Sequence, residues 1–177
     1  MQNTKLILKG ALIGLLFSAP ATAQIDIGGM AKKAGEQVSG AAKGEVEKKV
    51  NANLMAEARK NQCSFKTDTD QLAPGCDAKL KKLTNALVEA KKTLEAGKVS
   101  SYKFEVSGHT DSAGKADHNK ELSEKRAAVI VKELVARGIP EKEIIAVGMG
   151  SDKPLVTPDN TPAKKAKNRR YEIRVRL

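Results

Sequence analysis

Two oppositely charged residues, Asp111 and Arg126, stand in the segment SGHTDSAGKADHNKELSEKRAAVIV (residues 107–131) where they could hold a ligand. Asp111 lies among turn residues, and Arg126 lies in the helical pattern that follows. A long helical side chain leans toward the helix N-terminus, so Arg126 is predicted to point back toward the loop of Asp111. Such a pair is either a structural salt bridge or a site for the ammonium and carboxylate of an amino-acid zwitterion. The residues alone leave both interpretations open.

Two further residues share the helix face of Arg126. Asn119 precedes Leu122 by three positions, and Leu122 precedes Arg126 by four, so the three side chains line one side of the predicted helix. Backbone amides of the loop and of the helix start favour negative charge nearby. The pattern therefore predicts a small polar site where the Asp111 loop meets this helix.

Hydrophobic periodicity predicts the elements that position these residues. Alternation in SYKFEVSG predicts a strand immediately before the Asp111 loop, and RRYEIRVRL predicts a final strand. The predicted order is strand, helix, strand, helix, strand, strand, at residues 63–68, 77–94, 101–108, 117–137, 143–150 and 169–177. Helices on one face of a mixed sheet make an α/β sandwich, which is the predicted fold class.

The first residues have the layout of an export signal. Lys5 and Lys9 precede a short apolar core, and Ala21-Thr22-Ala23 is a small-x-small cleavage site. We therefore predict a signal peptide over residues 1–23 and an exported protein whose mature chain begins at Gln24.

Residues 24–60 differ in composition from the rest of the chain. They are rich in Gly, Ala and Lys, with apolar residues recurring every four positions, as expected for a helix. Gly35, Gly40 and Gly44 each cost about 1 kcal/mol in a helix interior. We predict a linker or a marginal helix that needs a docking surface, and this segment is the candidate contact for another envelope protein.

The two cysteines, Cys63 and Cys76, are disulfide candidates because an exported chain meets an oxidising environment. The bridge would close a short loop and contribute about 3 kcal/mol in the chain-entropy description. We therefore predict a Cys63–Cys76 disulfide.

The formal net charge of +11 predicts attraction to polyanions. Export argues against nucleic acid as the partner, and so do an aromatic content of 3% and the absence of Trp, because base stacking needs aromatic platforms. An alternative function is adhesion to anionic envelope polymers. The residues that would form this basic patch are Lys164, Lys165, Lys167, Arg169, Arg170, Arg174 and Arg176.

Catalysis is the least favoured reading. The chain has two histidines, His109 and His118, and their spacing with Asp111 and Asp117 matches no common zinc motif. No Ser-His-Asp or paired-glutamate arrangement stands out. We predict no enzyme activity, no metal and no cofactor.

Several motifs together resemble one family. VSGHTDSAG, NKELSEKRA, GMGSDKP and NRRYEIRV occur in that order, and with this spacing the region 62–177 resembles the OmpA-like C-terminal domain. The resemblance implies a non-catalytic peptidoglycan-binding module of the cell envelope that grips the meso-diaminopimelate of the stem peptide. Its aspartate and arginine fall on Asp111 and Arg126. The ligand contacts that the resemblance implies are Asp111, Arg126, Asn119, Leu122, Thr110, Phe65 and Thr67.

The resemblance has a departure. The family often has Gly-Arg-Ala before Asn-Arg-Arg, whereas this chain has Lys164, Lys165 and Ala166, so no binding role is carried onto that loop. The expected protein binds peptidoglycan in the periplasm and tethers or positions an envelope component there. Outer-membrane association and the oligomeric state are left open.

Overall fold

The chain forms helices and strands in alternation after one long N-terminal helix. The computed structural model describes the backbone of residues 27–177 and the side chains of residues 40–177, and the predicted signal peptide lies outside them. The elements are α1 (Ile27–Lys60), α2 (Asp77–Ala96), β1 (Lys103–His109), α3 (Ala116–Ala136), a 3-10 turn (Glu141–Glu143), β2 (Ile144–Gly148), α4 (Pro162–Asn168) and β3 (Arg170–Arg176). None of the helices from Ile27 onward is long and apolar enough to cross a membrane.

The sheet has three strands in the order β2-β1-β3. β1 runs parallel to β2, with Phe104 opposite Ile144, and antiparallel to β3, with His109 opposite Arg170. The crossover between the parallel strands is α3, as parallel pairing requires. The mixed sheet and the α/β class predicted from the sequence are confirmed.

The two faces of the sheet differ in chemistry because side chains alternate along each strand. One face carries buried apolar residues, including Phe104, Val106 and Ile173, and packs against the helices. The other carries Glu105 and Glu172, which hold the arginines of β3 in ion pairs. The helices supply the remainder of the core through Val50, Leu54, Ala58, Leu80, Leu83, Leu87, Leu94, Ala127, Ile130 and Leu134.

The first predicted strand is wrong. Residues 63–68 lie outside the sheet and make a single antiparallel bridge, between Phe65 and Leu72. The outer edge of β3 is occupied instead by α1. The amide of Asn51 donates to Val175 O (3.2 Å) and accepts from Val175 N (2.7 Å). Gln62 makes the same pair of bonds with Tyr171, at 2.8 and 3.0 Å, so two side-chain amides substitute for a fourth strand.

Helix α1 is 34 residues long, and among its residues 40–60 the contacts with the core begin at Val46. Val50, Leu54 and Ala58 are buried against α2 and β3, whereas residues 40–45 are exposed. Residues 40–45 therefore lie outside the core, and the packing joins the end of α1 to the domain predicted for residues 62–177.

Asn51→Ala is expected to lower the free energy of unfolding by about 1–3 kcal/mol, because it leaves the N–H and C=O of Val175 without partners beneath a helix. Urea unfolding measures this change. Asn53→Ala is the matched control, since Asn53 lies on the same helix, is exposed and makes no hydrogen bond among the described residues. Equal stability of the two variants would contradict the role assigned to Asn51.

Two glycines let α3 lie close to the carboxyl ends of β1 and β2. A Cβ on Gly108 would overlap the carbonyl oxygen of Ser123, and one on Gly148 would lie 2.6 Å from the carbonyl oxygen of Lys120. Ser123 is fully buried, and its hydroxyl accepts from the N–H of Gly150 at 2.8 Å. This close approach brings the first turns of α3 beside the loop that follows β1.

The chain after β2 leads through a loop into α4, which was not predicted from the sequence. Thr161 caps this helix by accepting from the N–H of Lys164 at 3.3 Å, and Pro162 stands at its start. The Thr-Pro pair is a usual helix-start signal and could have identified it.

Cys63 and Cys76 are free thiols in this structure, so the predicted disulfide is not formed in it. Both are buried, and Cys63 Sγ lies 3.9 Å from the carbonyl oxygen of Cys76. The disulfide stays a prediction.

Candidate ligand-binding site

Asp111 lies in the loop between β1 and α3, at the edge of the sheet where β1 ends. Its carboxylate is 13% exposed, which leaves one side open to solvent. Oδ1 accepts from the N–H of Ala113 at 3.0 Å, and Oδ2 accepts from Nη1 of Arg169 at 2.7 Å. The carboxylate is therefore fixed in direction by its own loop, and its charge is neutralised by Arg169, which lies between α4 and β3.

Asn119 shapes this loop from the first turn of α3. Its buried amide donates to the carbonyl oxygens of Ala113 (2.8 Å) and Asp111 (3.4 Å). The amide N–H groups of Asn119 thus bond to the loop backbone, and through these bonds the residue positions Asp111.

Arg126 lies two turns along α3 from Asn119, on the same side of the helix, and is half-buried. Its Nε donates to the carbonyl oxygen of Thr69 at 2.9 Å, and Nη2 lies 3.4 Å from that of Lys66. The guanidinium sits over the ring of Phe65, 5.1 Å from the centroid, a cation–π arrangement. These contacts fix the orientation of the guanidinium while adding no negative charge to balance it.

Arg126 and Asp111 do not bond to each other in this structure. Within residues 40–177, Arg126 forms no salt bridge. Burial lowers the pKa of Arg126, Asp68 and Asp111 act to raise it, and it remains a cation at neutral pH. Asp111 bonds instead to Arg169. The structure therefore contradicts the interpretation of this pair as a simple salt bridge.

Arg169 is the site residue that the sequence analysis missed. Its guanidinium is 45% exposed and bonds to Asp111, and its charge also acts on Arg126 by lowering the pKa of that residue. The sequence assigned it only to a general basic patch. Its place directly before β3, whose first residue lies opposite the last residue of β1, was the signal that could have located it.

A buried polar network joins the Asp111 loop to α4 and to the loop that precedes α4. The carboxylate of Asp159 accepts from the N–H of Ser112 (2.9 Å), from the Ser112 hydroxyl and from the Asn168 amide (3.0 Å). These bonds lower the pKa of Asp159 to about 2, so it is ionised at neutral pH. Asn168 also bonds the backbone of Leu155 and Val156, which fixes the loop that precedes Arg169.

The other predicted contacts are Phe65, Leu122, Thr110 and Thr67, which differ in burial and in distance from Arg126. Phe65 lies beneath Arg126, and Leu122 is half-buried on the same helix. Thr110 is buried, and within the described chain its hydroxyl has no hydrogen-bond partner. Thr67 is exposed in the turn that ends near Arg126. The structure thus brings Phe65 to the site directly and places Thr67 at its rim.

The two histidines occupy separate environments. His118 is exposed and lies 2.8 Å from Asp68, while His109 is buried on the charged face of the sheet. Burial, aided by Arg170, lowers the pKa of His109 to about 4, so its ring is neutral at neutral pH. The described residues contain no group of three or more His, Cys, Asp or Glu side chains that could hold a metal ion.

The predicted basic patch is partly neutralised. Arg170 and Arg174 both bond to Glu172, at 2.7 and 2.6 Å, and Arg176 bonds to Glu105 at 3.0 Å. Arg170 is only 9% exposed, so it is unavailable to a polymer. The patch is therefore reduced to the lysines of α4 and the exposed parts of Arg174 and Arg176.

These features define an α/β domain with a two-charge site where the strand ends meet the helix starts. A model of the OmpA family matches residues 64–169. The chain belongs to the OmpA family.

Curated relatives match part of the chain. The peptidoglycan-binding protein ArfA of Mycobacterium tuberculosis is 43% identical over 68 residues, which cover 38% of this chain and 21% of that protein. Outer membrane protein A of Klebsiella pneumoniae is 44% identical over 79 residues, covering 40% and 23%. The chain thus matches less than a quarter of the length of these relatives.

Solved structures share the fold. The peptidoglycan-associated lipoprotein of Burkholderia pseudomallei superposes with a TM-score of 0.55 at 22% identity, covering 68% of this chain and 93% of that chain. The periplasmic domain of Helicobacter pylori MotB gives a TM-score of 0.52 at 20% identity, covering 63% and 68%. At these identities the likeness concerns the fold alone.

Proposed function

We propose that this protein binds peptidoglycan without catalysis, through the diaminopimelate of the stem peptide. One observation carries the proposal. The guanidinium of Arg126 is held in direction by two backbone carbonyls and the Phe65 ring, and it has no carboxylate partner among the described residues. A fixed, half-buried cation without a counter-ion is suited to a ligand carboxylate.

Asp111 supplies the complementary charge. The far end of a diaminopimelate side chain carries an ammonium and a carboxylate on one carbon, so a matching site needs an anion and a cation side by side. The ammonium would replace Arg169 on Asp111, while the carboxylate bonds to Arg126. Exchange of one cation for another keeps the carboxylate of Asp111 neutralised throughout, which limits the desolvation penalty of binding.

The names of two relatives agree with this assignment. ArfA is named a peptidoglycan-binding protein, and the Burkholderia protein is named a peptidoglycan-associated lipoprotein. The family match spans residues 64–169, which include Phe65, Asp111, Arg126 and Arg169. The candidate site therefore lies inside the segment that matches the family.

The protein would act as a tether in the periplasm. The domain would hold the wall, and residues 24–60 would contact another envelope component. The exposure of residues 40–45 supports this division, because they lie outside the core and leave the helix surface there available to a partner.

Calorimetric titration with meso-diaminopimelate tests the ligand. We expect heat of binding for meso-diaminopimelate and none for L-lysine with blocked α-amino and α-carboxyl groups, which keeps the side-chain ammonium but has no free carboxylate. Asp111→Ala should lose the binding, because the ammonium then has no counter-ion and the energy lost is about 2–5 kcal/mol.

Whole sacculi provide the second arm of this test, because a free amino acid lacks the rest of the stem peptide. Retention of the protein on sacculi that is equal for wild type and Asp111→Ala would contradict the proposal. A steep loss of retention with salt in both proteins would point instead to general charge attraction.

A further inference from the structure

A small hairpin, residues 64–73, holds Arg126 through two of its backbone carbonyl groups. Its two arms are joined by bonds from Lys66 N to Gln71 O and from Ala73 N to Ser64 O, both 2.9 Å. The turn between the arms includes Asp68, which has a positive φ of 55°. The carbonyl groups that hold Arg126, those of Lys66 and Thr69, belong to this turn.

The hairpin has few other attachments. Phe65 and Leu72 pack against the core as partly buried side chains, and Asp68 reaches His118 through an exposed contact of 2.8 Å. An exposed pair of this kind contributes little stability. The position of the Arg126 guanidinium therefore depends on how firmly the two arms of the hairpin are closed.

Cys63 and Cys76 stand at the base of the hairpin, one on each side. Cys63 lies three residues after the end of α1, and the carbonyl of Cys76 starts α2 by accepting from Leu80 N at 2.9 Å. Both side chains are buried, at 6% and 7% exposure, and Cys63 Sγ lies 3.9 Å from the carbonyl oxygen of Cys76. The pair thus joins two rigid helices at the point where the hairpin leaves them.

We propose that Cys63 and Cys76 are positioning residues, and that a disulfide between them closes the base of the hairpin and fixes Arg126 for the ligand. Oxidation would then tighten ligand binding without touching the ligand. The affinity change rests on the proposed function, whereas the closure of the hairpin does not.

The chemistry is thiol–disulfide exchange with a small-molecule or protein disulfide as oxidant. A cysteine thiolate attacks the donor disulfide, forms a mixed disulfide and releases one donor thiol. The second cysteine then attacks the mixed disulfide and releases the other donor thiol. The two protein thiols lose two electrons and two protons in total, and both are recovered in the two donor thiols.

Thiol–disulfide exchange should be slow in the folded protein. Burial is the main cause that raises the pKa of the Cys63 thiol to about 12, so almost no thiolate is present there at neutral pH. The bond would therefore form during folding, before the hairpin packs, and the folded reduced protein would stay reduced.

Refolding in two redox conditions tests the proposal. The full chain is refolded with oxidised and reduced glutathione, or with a phosphine reductant, and the number of free thiols is counted by alkylation and mass measurement. Hydrogen exchange is then followed at the amides of Lys66 and Ala73 and at the Nε–H of Arg126. Binding of meso-diaminopimelate is titrated for both forms, and the Cys63→Ala/Cys76→Ala double variant serves as the control.

We expect the oxidised form to exchange these hydrogens about tenfold more slowly. It should also bind about three- to tenfold more tightly, because the site is preorganised. The double variant should behave alike in both conditions. The proposal is overturned if the disulfide does not form, or if hydrogen exchange is equally fast in the oxidised and reduced forms. Equal affinity in two forms that exchange differently overturns the link to the ligand. Absence of binding in both forms with unequal exchange contradicts the proposed function while supporting the closure.

Discussion

Arg126→Ala is expected to weaken binding of a diaminopimelate ligand by about thirtyfold to several thousandfold, which corresponds to 2–5 kcal/mol. The loss has two sources. The ligand carboxylate loses the cation that two backbone carbonyls and the Phe65 ring hold in direction, and the hairpin loses the donor that joins it to α3. Calorimetry with meso-diaminopimelate measures the change, and Arg126→Lys should recover only part of it because an ammonium cannot reproduce a planar fork.

Lys125→Ala is the matched control for this experiment. Lys125 is the neighbouring residue, and it makes an exposed salt bridge with Glu121 on the same helix. Its removal should leave affinity unchanged, since exposed pairs contribute little and are screened. A folded Arg126→Ala protein that binds with wild-type affinity would refute the role of Arg126.

Gly108→Ala is expected to lower the free energy of unfolding by about 3 kcal/mol or more, at the upper end of the usual effect of overpacking. The added methyl group would overlap the carbonyl oxygen of Ser123, which belongs to the backbone of α3 and cannot rotate away. The helix would have to move off β1. Because the Asp111 loop joins these two elements, ligand affinity should fall with stability.

Gly44→Ala separates this steric effect from glycine chemistry in general. A Cβ at Gly44 meets nothing within 4 Å, so the substitution should stabilise α1 by about 0.5–1 kcal/mol. Thermal and urea unfolding of the two variants should therefore move in opposite directions. Wild-type stability of Gly108→Ala would show that α3 does not depend on this close approach.

Local sequence patterns were sufficient for the elements that carry the site. Alternation of apolar and charged residues located β1 and β3, and the helical stripe from Leu122 to Leu134 located α3. The turn residues between β1 and α3 placed Asp111 in the connecting loop. These patterns are local consequences of burying one face of an element, so a single sequence contains them.

The partners of the charged residues were not available from the sequence. Periodicity shows that Asn51 lies on a helix, but it does not show that the helix would take the edge of β3 and exclude residues 63–68 from the sheet. Likewise, Asp111 was expected to face Arg126, whereas it bonds to Arg169. Both results depend on contacts between residues far apart in the chain, which local spacing does not encode.

The direction of α1 has a mechanical consequence for a tether. Asn51 bonds to Val175 and Gln62 bonds to Tyr171, so α1 runs antiparallel to β3. The N-terminal end of α1 is therefore directed toward the end of the strands opposite the one that carries Asp111. A pull between that end and a ligand at Asp111 therefore runs along the strands. The contacts of α1 with β3 are then loaded in shear, all together, instead of being peeled apart one by one. At about 1.5 Å per residue, the 34-residue helix would also hold an attached component about 50 Å from its last turn.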